Sequence, residues 1–489
     1  MSFMSTLMLK LLVNISHLLH KGREILMVYK APPNDGGPRH RRDRARDRNL
    51  RPTYNKAPPP STGAKCENLS KFQGLYPIQN GRPLEHLGRH LGIYVKAFDH
   101  FKQFENEPLT PPSKDDALSL RELFTEINRY FADESARRSA VQPILDKLLN
   151  TPVLEIVNTD GSRGDGSYVA EALGRPGGAE TTFFEWKGEL NSGGSEPVQR
   201  VASLARKAWR QDKRKELRDL CCCPAFTIVI QGTHLKIQGI AFVPSPHTEE
   251  LATLSLESNH HPLEDYIRRV YRALVRLRES IRMLEEYYKK LNRQEPLRCF
   301  PRHRSIKRQV GGAQEIVYED ILLPSVHSKT LFSATVDGQD CVVKFPFTYC
   351  VEAHRLLADK QLAPKLIACQ LVEPGRYYCV VMEHLPGQTL DEIDGPYPQQ
   401  VVDGLHKVLD TLKEHGFVHG DLRTPNIMYA SETGQLKVLD FDWAGRDGEV
   451  RYPLMMNCDA GISWHPNATP GALILREHDQ HLVQLLLKK

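Results

Sequence analysis

No stretch of the sequence is apolar for long enough to cross a bilayer, which asks for about 20 consecutive residues. The nearest approach, residues 7–19, is interrupted by Lys10, Asn14 and His17. It has neither a basic leader nor a small-residue cleavage site, so an amphipathic helix or N-terminal extension is expected, not an export signal. Cysteine is sparse in pattern too. Cys221, Cys222 and Cys223 are consecutive, the other seven are scattered, and no C-x-x-C pair occurs. A cysteine-based metal module is therefore excluded, and reduced thiols in a cytosolic or nuclear protein are expected. Strong charge of one sign is missing as well. A net charge of +5 over 489 residues is too dilute to specify a nucleic-acid partner. At about 100–200 residues each, two to four domains are expected.

Residues 32–65 are dominated by Gly, Pro, Arg and Asp, with a mixed basic run at 39–51. Such a composition buries too little apolar surface to offset chain entropy, so residues 1–65 are expected to be a disordered, basic extension. Residues 66–150 carry apolar positions at helical spacing in 84–104, 117–131 and 135–149, a helical lead-in. Residues 151–245 change character. Segments 153–157, 181–186, 226–230 and 235–242 are rich in β-branched and aromatic residues and read as strands, with a helical run at 197–220. Residues 262–292 step Ile267, Val270, Leu274, Leu277, Ile281, Leu284, Tyr288, Leu291, a seam with alternating steps of three and four. This long connecting helix is either a spacer packed on its own chain, the favoured reading, or a dimer seam.

The densest chemistry lies in residues 419–426, H-G-D-L-R-T-P-N, followed by a strand-like run and Asp440-Phe441-Asp442. Asp421 can orient and deprotonate an attacking hydroxyl, while Asn426 and Asp440 can hold Mg²⁺ on nucleotide phosphates. Alone, H-G-D is equally a turn before a strand. Other pieces stand upstream in order. Lys344 ends the β-branched run C-V-V-K-F, and Glu352 follows in a helical run, a candidate ion pair. The strand 377–382 leads into Glu383-His384-Leu385-Pro386-Gly387, where the Glu383 carbonyl and the Leu385 amide can meet an adenine edge. An amphipathic helix is expected over 401–415.

Lys344, Glu352, M-E-H-L-P-G, H-G-D-L-R-T-P-N and L-D-F-D occur in an order that resembles the protein-kinase-like superfamily. The resemblance covers residues 317–489 and implies a two-lobed fold over 300–489. It also implies Lys344 on the phosphates with Glu352 holding it, Asp421 as catalytic base, Asn426 and Asp440 as metal ligands, Arg423 near the γ-phosphate and Met382 as gatekeeper. ATP and Mg²⁺ are the implied cofactors. The departures are specific. No G-x-G-x-x-G loop is present, and residues 324–335 read P-S-V-H-S-K-T-L-F-S-A-T. Only seven residues separate Lys344 from Glu352, Gly420 replaces the arginine of H-R-D, and Asp442 replaces the glycine of D-F-G. No A-P-E follows and 49 residues remain after Asp440, so a reduced C-lobe is expected. H-G-D with D-F-D also resembles the aminoglycoside and choline kinase branch, whose acceptors are small molecules.

A second constellation lies in Phe183-Phe184-Glu185-Trp186-Lys187. Period two puts Glu185 and Lys187 on one strand face. With an upstream acid, Asp165 first and Asp160 next, such a face suits metal-dependent phosphodiester cleavage, and Gln199 could assist. The plain alternative is a solvated face. The order of elements over 151–243 resembles the restriction-endonuclease-like PD-(D/E)xK core. The whole layout resembles fungal proteins that join such a domain to a truncated kinase, as in Crinkler-type effectors and related basidiomycete proteins. Arg200, Arg206, Lys207, Arg210, Lys213, Arg214 and Lys215 could meet phosphates, though a solvated helix face is the favoured reading.

The expected class is therefore an α+β multidomain protein. A small α/β restriction-endonuclease-like domain and a long helix precede a two-lobed protein-kinase-like fold. The expected function is ATP- and Mg²⁺-dependent transfer to a protein Ser/Thr hydroxyl. The alternatives are a metal-dependent nuclease with a kinase-like regulatory module, or a nucleotide-binding pseudokinase scaffold. Expected partners are ATP, an acceptor protein or small molecule, and nucleic acid through the nuclease-like domain, with no membrane. The expected location is intracellular, cytoplasmic or nuclear, with host-cell delivery if the protein acts as an effector.

Overall fold

A computed structural model describes residues 59–489 apart from 107, 109–110, 155–163, 191–193, 244, 294–298, 308–311, 324–328, 395, 460 and 489. Residues 1–58 of the expected extension and Asp160 lie outside the described residues, as do 155–157 of the first expected strand and 324–328 of the segment standing where a glycine-rich loop would be. Among the described residues the chain forms two compact units, one up to Arg302 and one from His303 onward, Lys329 excepted.

The N-terminal unit is organised on a five-stranded sheet. Its strands are β1 (Gly166–Ala172), β2 (Arg175–Lys187), β3 (Ala225–Gln231), β4 (His234–Phe242) and β5 (Pro246–Ser255), in that spatial order. Only β2 and β3 are parallel, so a crossover must join them. It contains the helix Pro197–Arg210, whose Pro197 opens the first turn and whose Gln199 amide is capped by the Glu196 side chain. The sheet continues through β5, beyond residue 245. β1 lies outside every strand expected from sequence, and Leu154 makes only an isolated bridge to Ser167.

The helices of this unit include α1 (Lys96–Lys102), α2 (Lys114–Ile127), α3 (Glu134–Leu149), α4 (Pro197–Arg210) and α5 (Leu263–Lys289). Ser113 caps α2 by accepting the Asp116 amide, and Asp133 caps α3 by accepting that of Ala136. The helix expected over 84–104 is broken into short turns before α1. The break has a local cause, because a Cβ at Gly92 would collide with the buried Asp99 carboxylate. That carboxylate instead binds His90 at 3.0 Å and Arg302 at 3.0 Å. The long helix α5 buries the expected stripe, Val270, Leu274, Leu277, Ile281, Leu284 and Tyr288. It packs on α1, α3, β1 and β2 of its own unit, so the seam is filled from within the chain and α5 is no free spacer. Trp209 of α4 stacks on Tyr288 of α5 at 5.8 Å, both fully buried.

The C-terminal unit begins with a six-stranded antiparallel sheet. It comprises β6 (Ser305–Lys307), β7 (Ala313–Leu322), β8 (Leu331–Val336), β9 (Gln339–Lys344), β10 (Leu366–Val372) and β11 (Tyr377–Glu383), in the order β10-β11-β9-β8-β7-β6. Helix α6 (Val351–Asp359) joins β9 to β10. Lys344 therefore stands on an inner strand, opposite Val380 of β11 and Leu331 of β8. Beyond the sheet come α7 (Gln399–Glu414), the hairpin Ile427–Ala430 with Gln435–Val438, and α8 (Arg476–Leu486). One apolar core holds these together, with Leu357 of α6, Leu405 and Val408 of α7, Ile427 and Val438 of the hairpin, and Leu482 and Val483 of α8. Residues 419–426 lie between α7 and the hairpin, on the edge of that core.

Candidate active site

The loop at 419–426 is held by backbone bonds to buried groups. His419 is fully buried, and its Nε2 faces the Leu439 carbonyl at 2.9 Å. Its Nδ1 accepts the Asp421 amide at 3.2 Å, which assigns the proton to Nε2. The amides of His419 and Gly420 donate to the two oxygens of Asp479 at 2.7 and 2.8 Å. Asp479 sits on α8 and is buried; burial pushes its carboxyl up, against the pull of His419 and the two amides. Gly420 has φ +81°, and a Cβ there would lie 3.0 Å from Ile474 Cδ1, so this position suits glycine on both counts. Asp479 was not legible as a site residue; its one sequence signal is an acid among the apolar positions of an amphipathic helix.

Within the loop, Asn426 Nδ2 donates to the Asp421 carboxylate at 2.7 Å and to its carbonyl at 3.0 Å. Arg423 clamps the same carboxylate through Nε and, at 2.9 Å, through an η nitrogen. The Arg423 guanidinium also lies 5.1 Å from the Trp464 ring centre. The Leu439 amide donates to the Asn426 carbonyl at 2.8 Å, so both polar groups of Leu439 are held and Asp440 leaves from a fixed point. Asp440 has φ +65°, a left-handed conformation that Asp tolerates better than most side chains. Phe441 is buried between His354, stacked at 4.5 Å, and His419 at 5.2 Å. His354 is tied to Tyr349 Oη at 2.7 Å and the Pro364 carbonyl at 2.8 Å, and burial pushes it down to about 4.

Lys344 meets this acid loop. Its Nζ is 2.6 Å from Asp440 and 2.7 Å from Asp442. The expected partner, Glu352, is not engaged. The short connection enters α6 at Val351, which leaves Glu352 exposed in the first turn, where an acid favours the helix dipole. Its side chain instead meets the Cys350 thiol at 3.8 Å. The second carboxylate on Lys344 is therefore Asp442, the residue standing in place of glycine. At the expected adenine edge, Glu383 ends β11 and bonds the Lys365 amide through its carboxylate at 3.1 Å. Leu385 follows in irregular chain, and Met382 is buried behind it. Gly387 runs so close to the hairpin that a Cβ would meet the Tyr429 carbonyl at 2.9 Å.

In the N-terminal unit, the register Gly166↔Phe184 sets Asp165 opposite Glu185. Asp165 accepts the Trp186 amide at 2.7 Å. Glu185 is fully buried and Lys187 nearly so, which overturns the solvated-face alternative. Lys187 lies 2.9 Å and Arg200 2.7 Å from Glu185 Oε1, while Oε2 has no hydrogen-bond partner among the described residues. Lys187 also binds Glu134 of α3 at 3.1 Å. Burial, with Asp165 nearby, pushes Glu185 up to about 7 against Arg200 and Lys187. Gln199 does not join this set; its amide meets Gln73 at 3.4 Å and Asn80 at 3.3 Å. Glu134 and Arg200 are the members that sequence reasoning did not place in the site. Arg206 and Arg214 are buried, against Phe72 and Glu180, and so do not form a solvated face, whereas Lys213 and Lys215 are exposed.

No family model matches the chain, and no curated protein does. Two solved structures to which it is similar are protein kinases. The PK-1 kinase of the Cydia pomonella granulovirus shares 16% identity over 32% of this chain and 62% of its own, with a TM-score of 0.29. Vaccinia related kinase 3 shares 15% identity over 37% of this chain and 66% of its own, with a TM-score of 0.29. The chain thus spans less than two thirds of either kinase.

Proposed function

We propose that the C-terminal unit is an ATP- and Mg²⁺-dependent phosphotransferase of protein-kinase-like type, acting on a protein Ser/Thr hydroxyl. One observation carries the reading. Asp421 and Asn426 are bonded to each other, and the Leu439 backbone ties both to the acid pair that holds Lys344. The donor set fits the cofactor. The Asn426 side-chain oxygen and the Asp440 carboxylate are the hard ligands Mg²⁺ prefers, and Lys344 is a cation suited to phosphate. When bound, ATP with Mg²⁺ supplies the transferable phosphoryl group. Asp421 orients the acceptor hydroxyl and takes its proton, once Arg423 has turned from that carboxylate towards phosphate charge. Asp479 fixes the loop that carries Asp421.

Purified protein with Mg²⁺ and γ-labelled ATP, beside Asp421→Ala and Asp440→Ala, tests the reading. Label on the chain or a generic protein acceptor, lost in both variants, supports it. ATP binding without transfer to protein or small-molecule hydroxyls favours a scaffold.

A second reading rests on the buried Glu185 and Lys187 with the partly buried Asp165 beside them. Asp165 and Glu185 would hold a divalent cation and Lys187 would orient water, a set suited to phosphodiester cleavage. The unpartnered Glu185 oxygen supports the fit, and Arg200 must leave Glu185 for a metal to enter. DNA cleavage with Mg²⁺ or Mn²⁺, lost in Glu185→Gln and Lys187→Ala, is the expected result; cleavage unchanged in both variants would sink it.

A further inference from the structure

The catalytic loop leaves one set of ligating side chains unused. Helix α8 opens with R-E-H-D-Q-H, which brings Glu477, His478 and His481 within five residues. His478 and His481, three apart, are neighbours on the helix surface. His465 reaches the same place from the preceding loop. Its ring centre is 4.9 Å from that of His478 and 5.3 Å from that of His481. One ligand atom from each of His465, Glu477 and His478 lies within 4.8 Å of the others. His478 is 1% exposed, yet its Nε2 has no hydrogen-bond partner among the described residues. The acidic oxygen beside it, Glu477 Oε1, is 4.0 Å away. A buried polar group left so costs about 1–3 kcal/mol, which a ligand at this point would offset.

We propose that His465, Glu477 and His478 bind a divalent transition metal, Zn²⁺ by its chemistry, with His481 or water in the fourth position. Two imidazoles and one carboxylate are a zinc donor set, whereas Mg²⁺ and Ca²⁺ prefer all-oxygen sites. Zinc donors stand about 2.0–2.2 Å from the metal, roughly 3.4 Å apart in a tetrahedron. Closing from 4.8 Å asks for a little over one ångström, and Glu477, half exposed, is free to supply it. Ligation through Nε2 moves the ring proton to Nδ1, where Tyr452 Oη stands 3.3 Å away to accept it. The bond given up is the Leu475 amide to Nδ1, also 3.3 Å. On His465, the Asn467 amide donates to Nδ1 at 3.2 Å, so Nε2 is the nitrogen carrying the proton in the absence of metal.

Such a metal ties the 465 loop to α8, the helix whose Asp479 holds the His419 and Gly420 amides. Trp464, beside His465, is the ring under Arg423. The metal is a clasp at the far end of the catalytic loop's anchor, and its presence does not depend on phosphotransfer.

The test uses the full chain, stripped with chelator and titrated with Zn²⁺ by calorimetry and with Co²⁺ by visible absorption. Wild type is expected to take up one more equivalent than His465→Ala or Glu477→Gln, or to bind it about a hundredfold more tightly. It is also expected to give the intense ligand-field bands of a tetrahedral cobalt site. Both changes are at partly or fully exposed positions, and circular dichroism verifies folding. Equal stoichiometry and affinity in wild type and in a variant carrying both His465→Ala and Glu477→Gln, or no cobalt bands in wild type, overturns the proposal.

Discussion

The two clusters of buried charge are held in opposite ways. In the C-terminal unit the acids sit on loops, and main-chain bonds from His419, Gly420, Asn426 and Leu439 fix them. In the N-terminal unit Glu185 and Lys187 sit on a strand between two others, and side chains from α3 and α4 close over them. A loop site can turn its groups towards a ligand, as the proposed function asks of Arg423. A strand site has its geometry set by the pleat, and its charges must be compensated where they stand, which is why Glu185 is pushed up to about 7. Each cluster holds two cations against its acids: Lys344 and Arg423 in one, Lys187 and Arg200 in the other.

The comparison is broken most directly at Asp421. Asp421→Asn keeps the shape of the loop and removes the base, so phosphotransfer falls by roughly 10²–10⁴. The thermal midpoint moves far less, because Arg423 is partly exposed and keeps Trp464. Glu185→Gln leaves phosphotransfer within twofold of wild type. Initial rates with labelled ATP on the three proteins decide the point. Comparable losses in both variants would mean that Glu185 also serves phosphotransfer, and the contrast would fall.

The contrast also explains what could be read beforehand. The loop chemistry is contiguous, so H-G-D-L-R-T-P-N and D-F-D disclosed Asp421, Asn426 and Asp440 as candidates. Asp479 stands 58 positions after Asp421, and nothing local distinguishes it from any helix acid. In the strand site, period two disclosed that Glu185 and Lys187 share a face. Burial of that face depends on α3 and α4, so Glu134 was invisible and Arg200 read only as a phosphate contact or a solvated helix face. Most strands and long helices were legible, because β-branched runs and helical spacing are local signals. β1 was missed because G-S-Y-V-A-E-A is weakly apolar and strand only by its pairing with β2. Of the helix at 84–104 only α1 forms, because Gly92 admits the Asp99 carboxylate seven residues on, a local contact that overrides spacing.

Asp479 sharpens the claim that backbone bonds hold the loop. Asp479→Ala leaves two buried amides unpaired, and the C-terminal unit loses about 2–5 kcal/mol. Asp479→Asn keeps one good acceptor and loses about half of that. Denaturant unfolding of the three proteins gives the ranking, and equal stability of Asp479→Ala and wild type would show that water replaces the carboxylate.

The two units are expected to answer pH with opposite sign. His354 is held down to about 4, so the unfolded chain takes up a proton between about 6.5 and 4 that the folded unit does not. Stability from this group is lost as pH falls through that window, by roughly 3 kcal/mol in all. His90 lies between Asp99 at 3.0 Å and Glu249 at 2.8 Å, which raise it above its ordinary value against the cost of burial. Its contribution is full below about 6.5 and fades as pH rises through the folded value. His354→Gln should flatten the acid side of the stability profile, and His90→Gln the neutral side. Profiles that stay parallel to wild type in both variants would remove either histidine as a cause.

Glu352 gives the smallest effect and the most specific one. An exposed acid in the first turn of α6 contributes about 0.3–1 kcal/mol through the helix dipole and little else. Glu352→Gln should therefore leave phosphotransfer within about twofold. Asp442→Asn removes one of the two carboxylates on Lys344 and should lower kcat/KM by about tenfold, which is 1.4 kcal/mol at the transition state. Six residues between Lys344 and Val351 bring the chain into α6 too early for Glu352 to point at the lysine. The acid after Phe441 occupies the place at 2.7 Å instead. Should Glu352→Gln lose as much activity as Asp442→Asn, α6 would have to shift when nucleotide binds, and the pairing of Lys344 with the acid loop would belong to the resting state alone.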